Sequence, residues 1–246
     1  MQRLNTLIRL GLGSIFLILT IPIFFAVLVV FLPSRTRRLY LTNRMGRVLS
    51  FAMLRIIGAR PVLKNRAALD KMGPAIFVAN HSSSLDMFVF GWACPPGTCG
   101  IAKREIIWAP FVGPIIWLSG FLLINRSNPA QALSSMRRSA QFLQTNGLSA
   151  WVMPEGTRSL DGSLGPFKRG FVHMALQSQL PVIPLVIHNA HHVWPMDRLV
   201  FTSAEVEVEV LEQIDTSTWS VQRAQDHATG VREVIAAALA ARANQA

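Results

Sequence analysis

Ala75-Ile76-Phe77-Val78-Ala79-Asn80-His81-Ser82-Ser83-Ser84-Leu85-Asp86 is the stretch on which the reading of this chain turns. Residues 75–79 are a short apolar run, which predicts a buried strand, and the apolar run from Met87 to Ala93 predicts a helix. A histidine, three hydroxyls and a carboxylate therefore fall where a strand gives way to a turn. Open α/β sheets bind ligands at such places. His81 and Asp86 are five apart, so one continuous helix would not put them on a shared face. They meet if His81 lies in the turn and Asp86 in the first helical turn, with a serine as the N-cap. The pair then has two readings. In one, the imidazole takes a proton near neutral pH while Asp86 fixes its tautomer and favours the imidazolium. In the other, Asp86 caps a helix and His81 is an ordinary loop histidine.

The chain around this stretch is 246 residues long, 51% hydrophobic and only 15% charged, with a formal net charge of +11. That is apolar and charge-poor for a soluble domain. Residues 1–60 hold nine arginines and no acidic residue. A basic, apolar N-terminal region points to an anionic membrane surface. Nucleic acid is the other usual partner of a basic chain, but the aliphatic run between the arginines argues against it, and no zinc-finger or basic-zipper pattern is present. Cys94 and Cys99 lack the further ligands that a metal site needs, and they read as small apolar residues.

Residues 10–34 carry no charge, which is long enough to cross a bilayer at roughly 20 residues per span. Pro22 predicts a kink. From Leu39 to Ile57, apolar residues at helical spacing alternate with Arg44, Arg47 and Arg55, the pattern of a basic amphipathic helix at the interface. Residues 1–58 thus read as membrane-anchoring helices, either a full span or a re-entrant hairpin. The arginines from Arg35 to Arg44 favour the cytoplasmic side for that flank.

Residues 59–246 read as one α/β domain, a mixed sheet flanked by helices. Strands are expected near 75–79, 100–102, 120–124, 150–153 and 181–187, with helices over 130–145 and 171–176. The prolines at 181 and 184 suggest an edge strand or an irregular entry. Residues 106–124 read as a broken helix and a short strand, with Trp108 and Trp117 near lipid or an acyl chain, or else in plain core. Val206, Val208 and Val210 alternate with Glu205, Glu207 and Glu209, the pattern of a strand with one wet face. Residues 221–243 predict a C-terminal helix with a break at Gly230. His188, His191 and His192 lack a carboxylate companion and read as loop histidines, and His173 as structural.

Several expected strands end in basic or mixed polar clusters: Lys103-Arg104, Asn125-Arg126, and Glu155-Gly156-Thr157-Arg158 with Lys168 close behind. Guanidinium forks and glycine-turn amides suit phosphate. Four blocks then give the chain a resemblance to the glycerophospholipid acyltransferases, especially the 1-acyl-glycerol-3-phosphate acyltransferases. Asn80 to Asp86 is similar to the first motif of that family, Gly120 to Arg126 to the second, Met153 to Ser159 to the third, and Val182-Ile183-Pro184-Leu185 to the fourth. Met153 stands where an aromatic is usual and Asn125 where an aspartate is common.

The resemblance implies acyl transfer from acyl-CoA or acyl-carrier protein to the free hydroxyl of lysophosphatidate, with no tightly bound cofactor and no metal. His81 and Asp86 would be catalytic. Arg126 and Arg158 would hold the acceptor phosphate in a pocket shaped by Glu155, Gly156 and Thr157, with Lys103 and Lys168 as further phosphate or donor contacts. Other readings stay open: another lysolipid acceptor such as a lyso-ornithine lipid, a serine acyl-enzyme built on Ser82, Ser83 or Ser84, a lipid hydrolase, or a silent membrane scaffold.

Overall fold

In the computed structural model of the chain, residues 2–64, 66–110, 112–125 and 128–243 are described. The opening apolar run is a single helix, α1 (Gln2–Val30), which continues through Pro22. It turns back onto α2 (Arg35–Ile57), whose N-cap Ser34 accepts the Arg37 N–H and whose end is set by Gly58 in the left-handed region, at φ 108°. The domain then runs β1 (Ala59–Leu63), α3 (Arg66–Lys71), β2 (Ile76–Ala79), α4 (Asp86–Ala93), β3 (Thr98–Lys103), a 3-10 turn (Arg104–Trp108), α5 (Val112–Leu118), β4 (Leu122–Ile124), α6 (Pro129–Asn146) and β5 (Ser149–Val152). It closes with α7 (Gly170–Ser178), β6 (Val182–Ile187), α8 (Ala190–Val193), β7 (Ala204–Val210) and α9 (Ala224–Ala243).

The strands form one sheet in the order β1-β7-β6-β2-β5-β3-β4. From β6 to β4 all neighbours are parallel, whereas β7 runs antiparallel to β6 and parallel to β1. The carboxyl ends of β6, β2, β5, β3 and β4 therefore share one edge of the sheet. Alternate residues along the strands feed two cores. Phe77, Ala79 and Trp151 face α2 and α4, and Ile76, Val78, Ala150 and Val152 face α6, α7 and α9. Helices α2 and α4 pack closely because Gly91 is a glycine: a Cβ there would stand 2.3 Å from Ser50 Oγ.

Of the arginines expected on the basic face of α2, Arg44 and Arg55 are exposed, whereas others on the helix turn inward. Arg38 is buried and its guanidinium donates to the Leu118 carbonyl at 2.9 Å and to those of Phe31 and Leu32. Arg35 donates to the Gly120 and Phe121 carbonyls, and Arg47 makes a paired contact with Asp70. Several of these arginines thus brace the helical hairpin against the domain. Helix α1 is attached near both ends. Gln2 reaches Thr202, Thr6 Oγ1 accepts the Phe201 N–H, and Arg9 donates to Ser203 and to the Ile57 carbonyl. Near its other end Phe24 and Leu28 pack on Leu118. Between these attachments Leu7, Ile15, Ile18, Leu19 and Ile23 are exposed.

Four expectations are corrected. Pro184 is not on an edge, because β6 lies between β7 and β2. Its carbonyl accepts the Leu211 N–H, so the position of its missing donor falls between the β6–β7 ladder at 185–187 and the separate Val182–Ile214 bridge. The glutamate face of β7 is wet only towards its ends, at Glu205 and Glu209; Glu207 between them is 3% exposed and paired with Lys64 at 2.8 Å and Arg242 at 2.7 Å. Helix α9 continues through Gly230, with Ala224, Ala228, Val231 and Ile235 buried. The glycine costs about 1 kcal/mol relative to alanine, too little to break a helix with a packed face. His188 does have a carboxylate companion, Glu209, at 2.8 Å, and His191 and His192 lie in the short α8 rather than in a loop.

Candidate active site

Strand β2 delivers Asn80 to the shared edge, and the Asn80 amide prolongs the sheet there. It donates to the Ile187 carbonyl at 3.0 Å and accepts the Ile187 N–H at 2.7 Å, tying the end of β2 to the end of β6. The next residue, His81, is held through its own backbone. Its N–H donates to Glu155 Oε1 at 2.7 Å and its carbonyl accepts the Ser159 N–H at 3.1 Å. The turn after β2 and the turn after β5 are thereby laced together at His81.

Asp86 opens α4 and is fully buried. Its Oδ2 accepts the Ser82 N–H at 2.8 Å and the Ser83 N–H at 2.9 Å, and lies 2.7 Å from His81 Nδ1. With a carboxylate at that distance, Nδ1 carries the proton and donates it, and Nε2 is left as the free basic nitrogen. The ring is 23% exposed, so a substrate can reach it. The helix N-terminus and the donors on Oδ2 compensate the buried charge. Among the described residues Oδ1 has no partner. No serine caps α4 as expected. The N-cap is Leu85, without a side-chain cap bond; Ser83 Oγ accepts the Leu85 N–H at 3.0 Å, and Asp86 bonds back to the turn.

Two of the three hydroxyls after His81, those of Ser83 and Ser84, are otherwise engaged. Ser83 Oγ donates to the Trp194 carbonyl at 2.6 Å, and Ser84 Oγ accepts from Arg158 Nη1 at 2.6 Å. That second bond places the Arg158 guanidinium on the same turn as the His81–Asp86 pair, with Arg158 exposed. Glu155 acts from behind: it is buried, and its second oxygen accepts the Gly165 N–H at 2.9 Å. Burial pushes its carboxyl above the usual range, opposed by the Gly165 and His81 N–H groups. Gly156 has φ 74°, and a Cβ on it would stand 2.8 Å from Lys168 Nζ, so a glycine lets the turn adopt its shape and lets Lys168 lie over it. The Gly156 N–H is taken by the Met153 carbonyl.

Of the residues singled out by sequence, His81, Asp86, Glu155, Gly156, Arg158 and Lys168 meet around these two turns, and Thr157 lies exposed between Gly156 and Arg158. Lys103 is exposed at the end of β3, level with Ile124 at the end of β4. Arg126 lies outside the described residues. On the sheet face opposite α4, a cavity of about 520 Å³ is lined by Met136, Met153, Met174 and Phe171 as well as by Gly156 and Lys168. Sequence reasoning missed this cavity, the Asn80 clamp and His191, whose Nδ1 lies 3.2 Å from the Ser82 carbonyl. The thioether-rich lining is scattered over several segments and carries no spacing signal; Asn80 stood in the motif but had no assigned task.

Comparison with known proteins now bears on the geometry. The Acyltransferase family profile matches residues 60–188, which contain His81, Asp86, Glu155, Gly156, Arg158 and Lys168. The chain belongs to this acyltransferase family. Relatives named 1-acyl-sn-glycerol-3-phosphate acyltransferase include one from Limnanthes douglasii, 36% identical over 208 residues, covering 85% of this chain and 73% of that protein. Another, from Salmonella typhimurium, is 32% identical over 180 residues, covering 73% of each. The crystal structure of the 1-acyl-sn-glycerophosphate acyltransferase PlsC from Thermotoga maritima superposes with a TM-score of 0.77 at 23% identity, over 97% of this chain and 94% of that one. The mixed sheet and the N-terminal helix of this acyltransferase are thus a fold shared with PlsC.

Proposed function

We propose that this acyltransferase esterifies the free hydroxyl of lysophosphatidate with the acyl group of an acyl thioester, giving phosphatidate. The observation that carries the chemistry is the 2.7 Å contact between His81 Nδ1 and the buried Asp86 carboxylate, which leaves Nε2 as the free ring nitrogen. Nε2 takes the proton of the acceptor hydroxyl as its oxygen attacks the thioester carbonyl. Asp86 steadies the imidazolium, and the proton then passes to the departing thiolate. General-base assistance of this kind is worth roughly 10²–10⁴-fold. Arg158, and with it Arg126, holds the acceptor phosphate; Lys103 and Lys168 add positive charge; Glu155, Gly156 and Thr157 keep the Arg158 turn in shape. An acyl-enzyme on Ser83 or Ser84 is disfavoured because their hydroxyls point to Trp194, Met196 and Arg158.

The apolar part of one substrate occupies the cavity beside Gly156 and Lys168. Residues 1–58 serve as the anchor and residues 59–246 as the catalytic domain. Because α1 is attached to the domain near both ends, it lies along the membrane surface with its bare apolar face in the lipid. The arginines after it keep the domain on the cytoplasmic side of a bacterial inner membrane. Acyl-CoA and acyl-carrier protein both supply the required thioester. Replacement of His81 by alanine tests the chemistry: acyl transfer to lysophosphatidate is expected to fall roughly 10²–10⁴-fold, and turnover near that of the unmodified enzyme would overturn the role.

A further inference from the structure

Away from the His81 turns, Arg35, Arg38 and Arg138 line a cavity of about 400 Å³, and among the described residues no carboxylate lines it. The first two come from the opening turn of α2, the third from α6. Their hydrogen bonds within the protein run to neutral oxygens. Arg35 meets the Gly120 and Phe121 carbonyls, Arg38 meets main-chain carbonyls, and Arg138 meets the Ser134 and Ser135 hydroxyls at 2.7 and 3.4 Å. Neutral oxygens satisfy donors but leave the positive charges uncancelled. Burial foremost presses the Arg35 pKa down, opposed by Cys99 and reinforced by Arg38. Planar guanidinium forks facing a small anion are the usual means of holding phosphate.

The surroundings choose the source of that phosphate. Aromatic and aliphatic walls, Phe121, Leu123 and Phe142, complete the cavity, and Trp117, 53% exposed, stands at its side. Trp108 is also exposed, in the 3-10 turn packed on α5, and α5 packs on α1, whose outer face is bare. Half-exposed tryptophan beside an apolar surface is the signature of a headgroup-level interface. The cavity shares no lining residue with His81, Asp86, Arg158 or Lys168. We infer that it holds the phosphate of an anionic phospholipid other than the molecule being acylated, so that the enzyme docks through a discrete head-group site as well as through α1. The inference rests on the membrane reading above for the source of the phosphate alone.

Binding can be measured without turnover, which separates this inference from the chemistry assigned to His81. The full chain in a neutral detergent is titrated by calorimetry with dihexanoyl phosphatidylglycerol, with dihexanoylglycerol, and with inorganic phosphate as competitor. Saturable binding of the phosphatidylglycerol and none of the dihexanoylglycerol is expected. Arg138→Ala and Ser139→Asp should each weaken it about tenfold or more, the scale of one charge-assisted hydrogen bond. Arg158→Ala and Arg37→Ala should leave it unchanged. Arg138 is exposed on α6, so its replacement keeps the test valid should Ser139→Asp fail to fold. Unaltered binding by Arg138→Ala overturns the site. An equal loss in Arg37→Ala replaces it with a diffuse surface field, and a loss in Arg158→Ala with the acceptor pocket. Displacement by inorganic phosphate at equal concentration overturns the lipid assignment.

Discussion

Replacing Asp86 by asparagine separates the charge of the site from its scaffold. Oδ2 of Asp86 has two tasks: it accepts the Ser82 and Ser83 N–H groups, which shape the turn, and it accepts His81 Nδ1. Asparagine can do the first only with its carbonyl oxygen at the Oδ2 position, because two backbone donors converge there. That orientation also preserves the acceptor for Nδ1, so the ring keeps its tautomer. What disappears is the negative charge. A charge-assisted hydrogen bond is worth about 1.5–3 kcal/mol and a neutral one about 0.5–1.5. The imidazolium that forms at the transition state therefore loses roughly 1–2 kcal/mol, which is about a 5- to 30-fold fall in kcat. The KM for lysophosphatidate should hardly move.

The same substitution puts an NH₂ where Oδ1 now sits, and among the described residues that atom has no partner. A buried unsatisfied donor costs about 1–3 kcal/mol, so a measurable loss of stability should accompany the kinetic change. Steady-state kinetics with saturating thioester, together with urea unfolding in the same detergent, read both quantities. A kcat within twofold of the unmodified enzyme would refute the role of the charge. A loss near 10⁴-fold would refute the pinned orientation instead, because losses of that size accompany an inverted imidazole tautomer in a related hydrogen-bonded dyad.

Other outcomes follow from the same geometry. Arg158→Ala should raise the KM for lysophosphatidate about 10- to 100-fold, the worth of one charge-assisted bond, and leave the KM for the thioester unchanged; equal effects on both substrates would remove Arg158 from the acceptor pocket. Burial alone would raise the Glu207 carboxyl, but Lys64 and Arg242 hold it below the ordinary glutamate range. A depressed folded-state pKa gives stability that is present above the unfolded value, near 4.3, and lost as pH falls through the folded value. Arg242→Ala should therefore cost about 1–2 kcal/mol at pH 7 and progressively less below pH 4, whereas a cost independent of pH would dismiss the ion pair as its origin. Met136→Trp should narrow the cavity beside Gly156 and shift acyl preference toward shorter chains; an unaltered chain-length profile would take that cavity out of the reaction.

How far the chain was legible depends on whether a signal is local. The run into Asn80 identified β2 and its turn because a four-residue apolar strand and a polar turn are both written in consecutive residues. Helix α6 was legible for the same reason: its apolar stripe is periodic, and Gly147, at φ 58°, ends it. The alternation at 204–210 identified a strand but not its neighbours. Glutamates facing water and glutamates facing Lys64 and Arg242 make the same pattern, and only the position of β7 between β1 and β6 decides between them. The inward turn of Arg35 and Arg38 was not legible either, since carbonyls that receive them lie some eighty residues downstream. At the site, residue types were legible and tasks were not. Glu155 read as a pocket residue, yet both its oxygens are spent on the His81 and Gly165 amides.

The two attachments of α1 connect the fold to the work of the enzyme. A 29-residue helix is about 44 Å long, more than the roughly 30 Å hydrocarbon core of a bilayer. Were it to cross, one end would have to leave the domain. Instead residues 2–9 bond to residues 201–203 and to Ile57, while Leu28 is buried with Leu118 near the opposite end. The outward-facing Leu7, Ile15, Ile18, Leu19 and Ile23 then define a plane fixed relative to the sheet. A lipid acceptor has to bring a polar head to His81 without withdrawing its acyl chain far into water, which at about 0.8 kcal/mol per exposed CH₂ becomes prohibitive within a few carbons. On the membrane reading proposed above, a helix bound rigidly along the domain would hold the crevice at one height and angle above the lipid, which a flexible tether would not do. On that reading the bonds from Arg9 to Ser203 and to the Ile57 carbonyl would set the distance between membrane and imidazole even though they touch no substrate.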